Sequence, residues 1–250
     1  MFSLLQADLL KTRKRAMGWV MLAITALTIA LVMIFTALGS PAKVIYAFPS
    51  GLLAAGSTIT SLGALMMVIF GATLVGSEYG YDTWKSLLTR YPGRAVFILS
   101  KWLTLLIAIA IGLVILVLLA QGLGLVLEAI RHLTGTGTSV SFGALLLLLL
   151  MQILAPLAAG SFGMLGAVIG RSSVAGIIAG IIWIIGDQLL ASFFQPASLS
   201  VHVSVLQAYI TGILVPVPAF VSLFAVTFYL VVPIAVAAII FRQRDMVGAG

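Results

Sequence analysis

Ser77-Glu-Tyr-Gly-Tyr-Asp-Thr-Trp-Lys-Ser-Leu-Leu-Thr-Arg-Tyr-Pro-Gly-Arg94 is a polar, charged stretch set between two long apolar runs. It is too short and too polar to cross a bilayer, whereas the runs on either side are long enough to do so. The stretch therefore reads as a loop joining two membrane helices, with Lys101 belonging to it from just downstream. Inside it Tyr81, Trp84, Leu87, Leu88 and Tyr91 recur at steps of three and four. That spacing gathers them on one side of a short helix and leaves Asp82, Lys85 and Thr89 on the other. Pro92-Gly93 ends it. A short helix with an aromatic face needs a surface to press against, and two fit the pattern: a protein partner, or the lipid headgroup region.

Composition extends this reading to the whole chain. Of 250 residues, 62% are hydrophobic and only 8% charged, and the mean hydropathy is +1.28, far from the balance of a soluble domain. The expected class is an all-α, polytopic, integral membrane protein forming a single transmembrane domain over residues 1–250. A net charge of +7 would point to nucleic acid in a soluble protein. Here the basic residues lie at the ends of apolar runs, where they set orientation, so no nucleic-acid partner is expected. With no cysteine, disulfides, thiolate metal sites and cysteine nucleophiles are excluded.

Residues 1–16 carry Phe2, Leu5 and Leu9 on one side and Lys11, Lys14 and Arg15 mostly opposite, with Leu4 and Leu10 blurring the pattern. They read as an amphipathic interfacial helix. The run Met17 to Leu38 follows a basic cluster as a signal-peptide core would, but its length of about 22 residues matches a retained bilayer crossing. Further runs are expected from Leu52 or Ile59 to Val75, Ala95 to Ala120, Phe142 to Ile169, Val174 to Phe194 and Ala219 to Phe241. Glu128, Arg131, His132 and Gly135 to Ser139 read as a connection, Arg171-Ser-Ser173 as a tight turn, and Gln195 to Pro218 as a partly buried outer segment. Pro156 falls mid-run, so a kink is expected there.

Six spans put both termini on one side. Lys11, Arg13, Lys14, Arg15, Lys85, Arg90, Arg94, Lys101, Arg171, Arg242 and Arg244 fall on that side, and only Lys43 and Arg131 on the other. Eleven against two places the termini and the 78–94 loop in the cytoplasm.

No constellation for catalysis emerges. Gly135-Thr-Gly-Thr-Ser139 lacks the lysine of a phosphate loop and follows no strand, so the chain has no nucleotide site of its own and is not expected to be an enzyme. His132 and His202 have no ligand partner at metal spacing and read as isolated loop histidines. Asp187 lies about 13 residues, or about 20 Å, into the fifth run, past the bilayer centre. A bare carboxylate there costs roughly 2.5 to 3.5 kcal/mol, so it reads either as a polar wall of a substrate path or as a residue reaching the outer interface with Gln188. Gly176 and Gly180 form Gly-x-x-x-Gly, which allows close helix approach within the chain or between subunits.

Glu78, Thr83, Leu87, Leu88, Pro92, Arg94 and Lys101 resemble the loop pattern of bacterial ABC transporter permeases of the type 2 exporter superfamily: a glutamate, then Gly-Thr, two leucines, a proline, an arginine and a downstream lysine. Asp82 stands where that pattern has glycine, and could cap the helix by accepting from a free amide; Gly93 stands where serine is common. The leading basic helix, the six spans and the turn around Gly166 to Val174 are similar to the same family. The resemblance implies a coupling helix in the 78–94 loop that docks on cytoplasmic ABC ATPase subunits, with Glu78, Tyr81, Thr83, Trp84, Leu87, Leu88, Arg94 and Lys101 as ATPase-coupling residues. It implies a second permease copy or a paralogous permease, a bacterial plasma membrane, and ATP and magnesium in the partner with no cofactor on this chain. The cargo would be unspecified, with a lipophilic or amphipathic molecule compatible with such apolar spans. The competing class is a secondary transporter or channel, which would have to route ions past intramembrane charges, and the spans offer almost none besides Asp187.

Overall fold

The computed structural model of the chain describes residues 2–39, 56–81, 94–131, 141–213 and 215–243. Among the described residues the helices are α1 (Phe2–Lys14), α2 (Ala16–Gly39), α3 (Gly56–Gly80), α4 (Arg94–Arg131), α5 (Phe142–Gly170), α6 (Ser173–Phe193), α7 (Leu199–Ile210) and α8 (Ala219–Gln243), with a 3-10 turn at Gln195–Ala197. No strand occurs among the described residues. α2, α3, α4, α5, α6 and α8 are each long and apolar enough to cross a membrane, so the six-span, all-helical expectation holds. Leu27, Phe35, Leu118, Phe224 and other large apolar side chains point outward, which water would penalise and lipid accepts.

The helix ends follow local chemistry. Ser141, Ser172 and Ser198 each accept a backbone amide at the start of α5, α6 and α7, supplying one of the partners a helix N-terminus lacks. Arg171 takes a left-handed conformation at φ 51° and closes α5, so two residues suffice to turn the chain into α6. The tight turn expected at Arg171 to Ser173 is thus present. α5 and α8 run on as helix through Pro156 and Pro233.

α3, α5 and α6 form the closest-packed part of the bundle. A Cβ on Gly71 of α3 would lie 2.3 Å from the carbonyl oxygen of Gly160 in α5. On Gly176 of α6 it would lie 2.5 Å from the Gly163 oxygen, and on Gly180 2.4 Å from the Val68 side chain. Gly176 and Gly180 therefore face neighbouring spans of the same chain, where small residues let backbones approach. α2 and α4 pack beside this kernel, and α7 rests on α5 and α8 through Leu199, Val203 and Leu206.

Several boundaries move. α3 continues through Ser77, Glu78, Tyr79 and Gly80, so the first residues read as loop belong to a span. α4 has 38 residues, about 57 Å at 1.5 Å per residue, against a hydrocarbon core of about 30 Å. It takes in Lys101 at one end and Glu128 and Arg131 at the other, none of which is loop. Hydropathy marks only the part of a helix inside lipid; strong helix formers such as Leu, Glu and Ala carry the backbone further. The segment from Gln195, read as a mixed outer connection, contains a true helix, α7. Residues 82–93, which hold Thr83, Trp84, Leu87 and Leu88, lie outside the described residues, as does His132.

Candidate functional site

Charge is scarce in this chain, so the place where four charged side chains converge stands out. Lys101, in the second turn of α4, is 2% exposed, and so is Glu78, near the end of α3. The Lys101 Nζ donates to Asp8 Oδ1 of α1 at 2.6 Å and to Glu78 Oε1 at 3.0 Å. Lys11 Nζ, one turn beyond Asp8, donates to the same Glu78 oxygen at 2.7 Å. Ser100 donates to Asp8 Oδ2 at 3.4 Å, and Arg15 Nη1 to Ser77 Oγ at 3.3 Å. The Phe97 ring lies 5.2 Å from the Lys101 ammonium, a cation over a π face.

Among the described residues two carboxylates meet two ammonium groups, and such pairing offsets part of the cost of burying charge. The result is a clamp holding α1 against the adjoining ends of α3 and α4. Phe241, near the end of α8, stacks on Phe97 at 5.3 Å and meets Tyr79 edge-on at 6.5 Å. Four helices are thereby tied at one end of the bundle. The cavity beside the clamp is about 20 Å³, room for about one water.

α1 is a helix, as expected, but its inward face is not the apolar one. Leu4 and Asp8 are buried and Lys11 turns inward, while Leu10 is 58% exposed. Asp8 was missed by the sequence reading. Its signal was present: it is the only acidic residue before Glu78, and Leu4, Asp8, Lys11 and Arg15 recur at helical spacing.

The remaining sequence-derived candidates separate. Tyr81 sits at the end of α3 and is 73% exposed; Arg94 is the first residue of α4. Asp187, near the far end of α6, accepts from the amides of Leu199 at 2.6 Å and Ser200 at 3.2 Å. Its carboxylate thus caps the N-terminus of α7, where the helix dipole favours negative charge. His202 is a buried helix residue and not an isolated loop histidine: it lies in α7, with Nε2 2.9 Å from the Pro196 carbonyl and Nδ1 3.1 Å from Ser222 Oγ. The carbonyl can only accept, so Nε2 carries a proton, and in the neutral ring the serine hydroxyl donates to Nδ1. Tyr229 donates to the Ala197 carbonyl beside them. Among the described residues no group of three His, Asp or Glu is placed to hold a metal.

The family profile of the ABC-2 family transporter protein matches residues 4–187. The chain belongs to the ABC-2 transporter family. The matched part of this ABC-2 permease contains the whole clamp, from Asp8 and Lys11 to Glu78 and Lys101. With six apolar spans it is a multi-pass membrane protein, the permease component of an ABC transporter. No curated protein matches the chain.

Proposed function

We propose that the chain is the membrane half of an ATP-driven exporter. A helix over residues 81–91 docks on a separate cytoplasmic ABC ATPase, and the clamp passes that subunit's movement into the spans. The observation that carries this reading is the bond set from Lys101 to Asp8 and Glu78, which joins α1 to the two helix ends flanking residues 82–93. A loop pushed from below would move α3, α4 and α1 together, because separating them exposes buried charges. On this reading Tyr81, Trp84, Leu87 and Leu88 touch the ATPase, with Thr83 in the first turn of the helix and Arg94 just beyond its end. Glu78 and Lys101 position it from inside. ATP and magnesium belong to the partner. A second permease, like or unlike, completes the path, and the cargo is a lipophilic or amphipathic molecule carried outward across a bacterial plasma membrane.

Burying each large apolar side chain of the 81–91 face contributes roughly 1.5 to 3 kcal/mol to docking. Leu87→Asp is therefore expected to abolish co-purification of the ATPase and cargo-stimulated hydrolysis, while Thr89→Asp on the opposite face retains both. Equal recovery and equal stimulation in the two variants would defeat the coupling reading. If the helix only lies on lipid, Leu87→Asp will loosen membrane contact and leave ATPase association intact.

Orientation has its own test. Reporter fusions at Gly250 are expected to signal from the cytoplasm, and fusions at Ala42 and Ser139 from outside. An external signal from Gly250, or internal signals from both loops, would reverse the assignment.

A further inference from the structure

The clamp sorts α1 into two faces. Leu4, Asp8, Lys11 and Arg15 recur at steps of three and four, and the last three reach for α3 and α4. Ser3, Gln6, Ala7, Leu10, Arg13 and Lys14 recur in the same way on the other side, and all are exposed. Of the four cations between residues 11 and 15, Lys11 and Arg15 are thus committed, to Glu78 and Ser77. The Arg13 and Lys14 side chains make no ion pair among the described residues.

The same face is fixed in depth. The Trp19 indole donates to the Arg13 carbonyl at 3.2 Å, tying the first turn of α2 to the last turn of α1. Trp19 is 57% exposed, and Val20, Ile24 and Leu27 continue the outward surface along the span. Those aliphatic side chains face hydrocarbon, and a tryptophan at the end of such a surface marks the headgroup boundary. Arg13 and Lys14, just before it in the chain, stand on the water side of that boundary, level with the lipid phosphates. A zwitterionic headgroup brings its own ammonium to these cations; an anionic one brings only the charge they lack.

We propose that Arg13 and Lys14 bind the headgroup of an acidic phospholipid, with Leu10 and Trp19 against the first carbons of its acyl chains. An acidic soluble protein would match the charge but not the depth, because Trp19 and Val20 beside the cations face lipid. The surface belongs to the fold of this chain and needs neither ATP nor an ATPase.

The test uses the full chain in phosphatidylcholine nanodiscs. Phosphatidylglycerol and phosphatidylcholine probes, each with the same diazirine near the head of one acyl chain, are photolysed in separate samples, and attachment sites are mapped by peptide mass spectrometry. In the wild type the phosphatidylglycerol probe is expected to label residues 9–20 about tenfold more than the phosphatidylcholine probe, as two cations at an interface allow. Arg13→Gln with Lys14→Gln should lower that ratio to about twofold or less. Arg171→Gln, a loss of charge in the exposed turn between α5 and α6, should leave it unchanged. Equal labelling by the two probes in the wild type overturns the proposal, and that comparison depends on no variant folding. So does a fall in Arg171→Gln as large as in the double variant, which would trace the preference to overall charge. Excess soluble glycerophosphoglycerol should not compete; displacement by it would mean that the cations hold a free anion and no lipid. If the double variant keeps the wild-type preference but no longer co-purifies the ATPase, the face belongs to that subunit and the lipid assignment is wrong.

Discussion

Lys101→Met is expected to lose most of its folded, membrane-extracted yield and to unfold at a markedly lower temperature than the wild type. The substitution keeps most of the side-chain volume but removes an ammonium bonded to both Asp8 and Glu78. Two buried carboxylates are left with one cation fewer. Breaking a buried pair from one side costs about 3–5 kcal/mol, whereas neutralising all members together is often tolerated. The triple variant Asp8→Asn, Glu78→Gln, Lys101→Met neutralises the three buried members and leaves only Lys11, whose side chain is 40% exposed, so it should recover at least half of the lost thermal stability. If the clamp also transmits ATPase movement, the triple variant will fold but show little cargo-stimulated hydrolysis, since amides and a thioether hold α1 to α3 and α4 less firmly than ion pairs. A Lys101→Met midpoint equal to that of the wild type would remove the clamp from any account of this permease.

The second large effect is expected from Gly71→Val. A Cβ at this position meets the Gly160 oxygen at 2.3 Å, its carbonyl carbon at 2.9 Å and its Cα at 3.1 Å. All three are backbone atoms of α5, so no side chain can rotate away and the two helices must separate. Overpacking of this kind costs typically 1–3 kcal/mol and occasionally more, and separation would also loosen the α6 contacts made by Gly176 and Gly180. Gly122→Ala in α4, where a Cβ meets nothing within 4 Å, should be neutral or gain up to about 1 kcal/mol in helix propensity. Thermal midpoints of the two variants in detergent decide it. A Gly71→Val chain as stable as Gly122→Ala would show that α3 and α5 do not pack backbone to backbone.

The six spans were legible in the sequence because a bilayer imposes its demands locally: each segment must satisfy its own backbone hydrogen bonds and expose apolar side chains along about 20 consecutive residues. Hydropathy fell short at helix ends, at Ser77 to Gly80 of α3 and beyond Ala120 of α4, and in the segment that holds α7. The family pattern was legible too, since Glu78, Arg94 and Lys101 lie close together along the chain. What the pattern could not say is what those charges touch. Lys101 meets Asp8 across 93 residues of sequence, and Lys11 meets Glu78 across 67. The sequence reading used Lys11, Lys14 and Arg15 for orientation and as the polar face of an interfacial helix, whereas packing turns Lys11 inward onto Glu78. Gly176 and Gly180 advertised a close approach without naming the partner; the tertiary structure supplies α3 and α5. Asp187 was left between two readings until α7 formed and brought its first amides to the carboxylate. In each case the deciding quantity is the desolvation of a group by a distant segment, which one-dimensional periodicity does not contain and only the packed bundle provides.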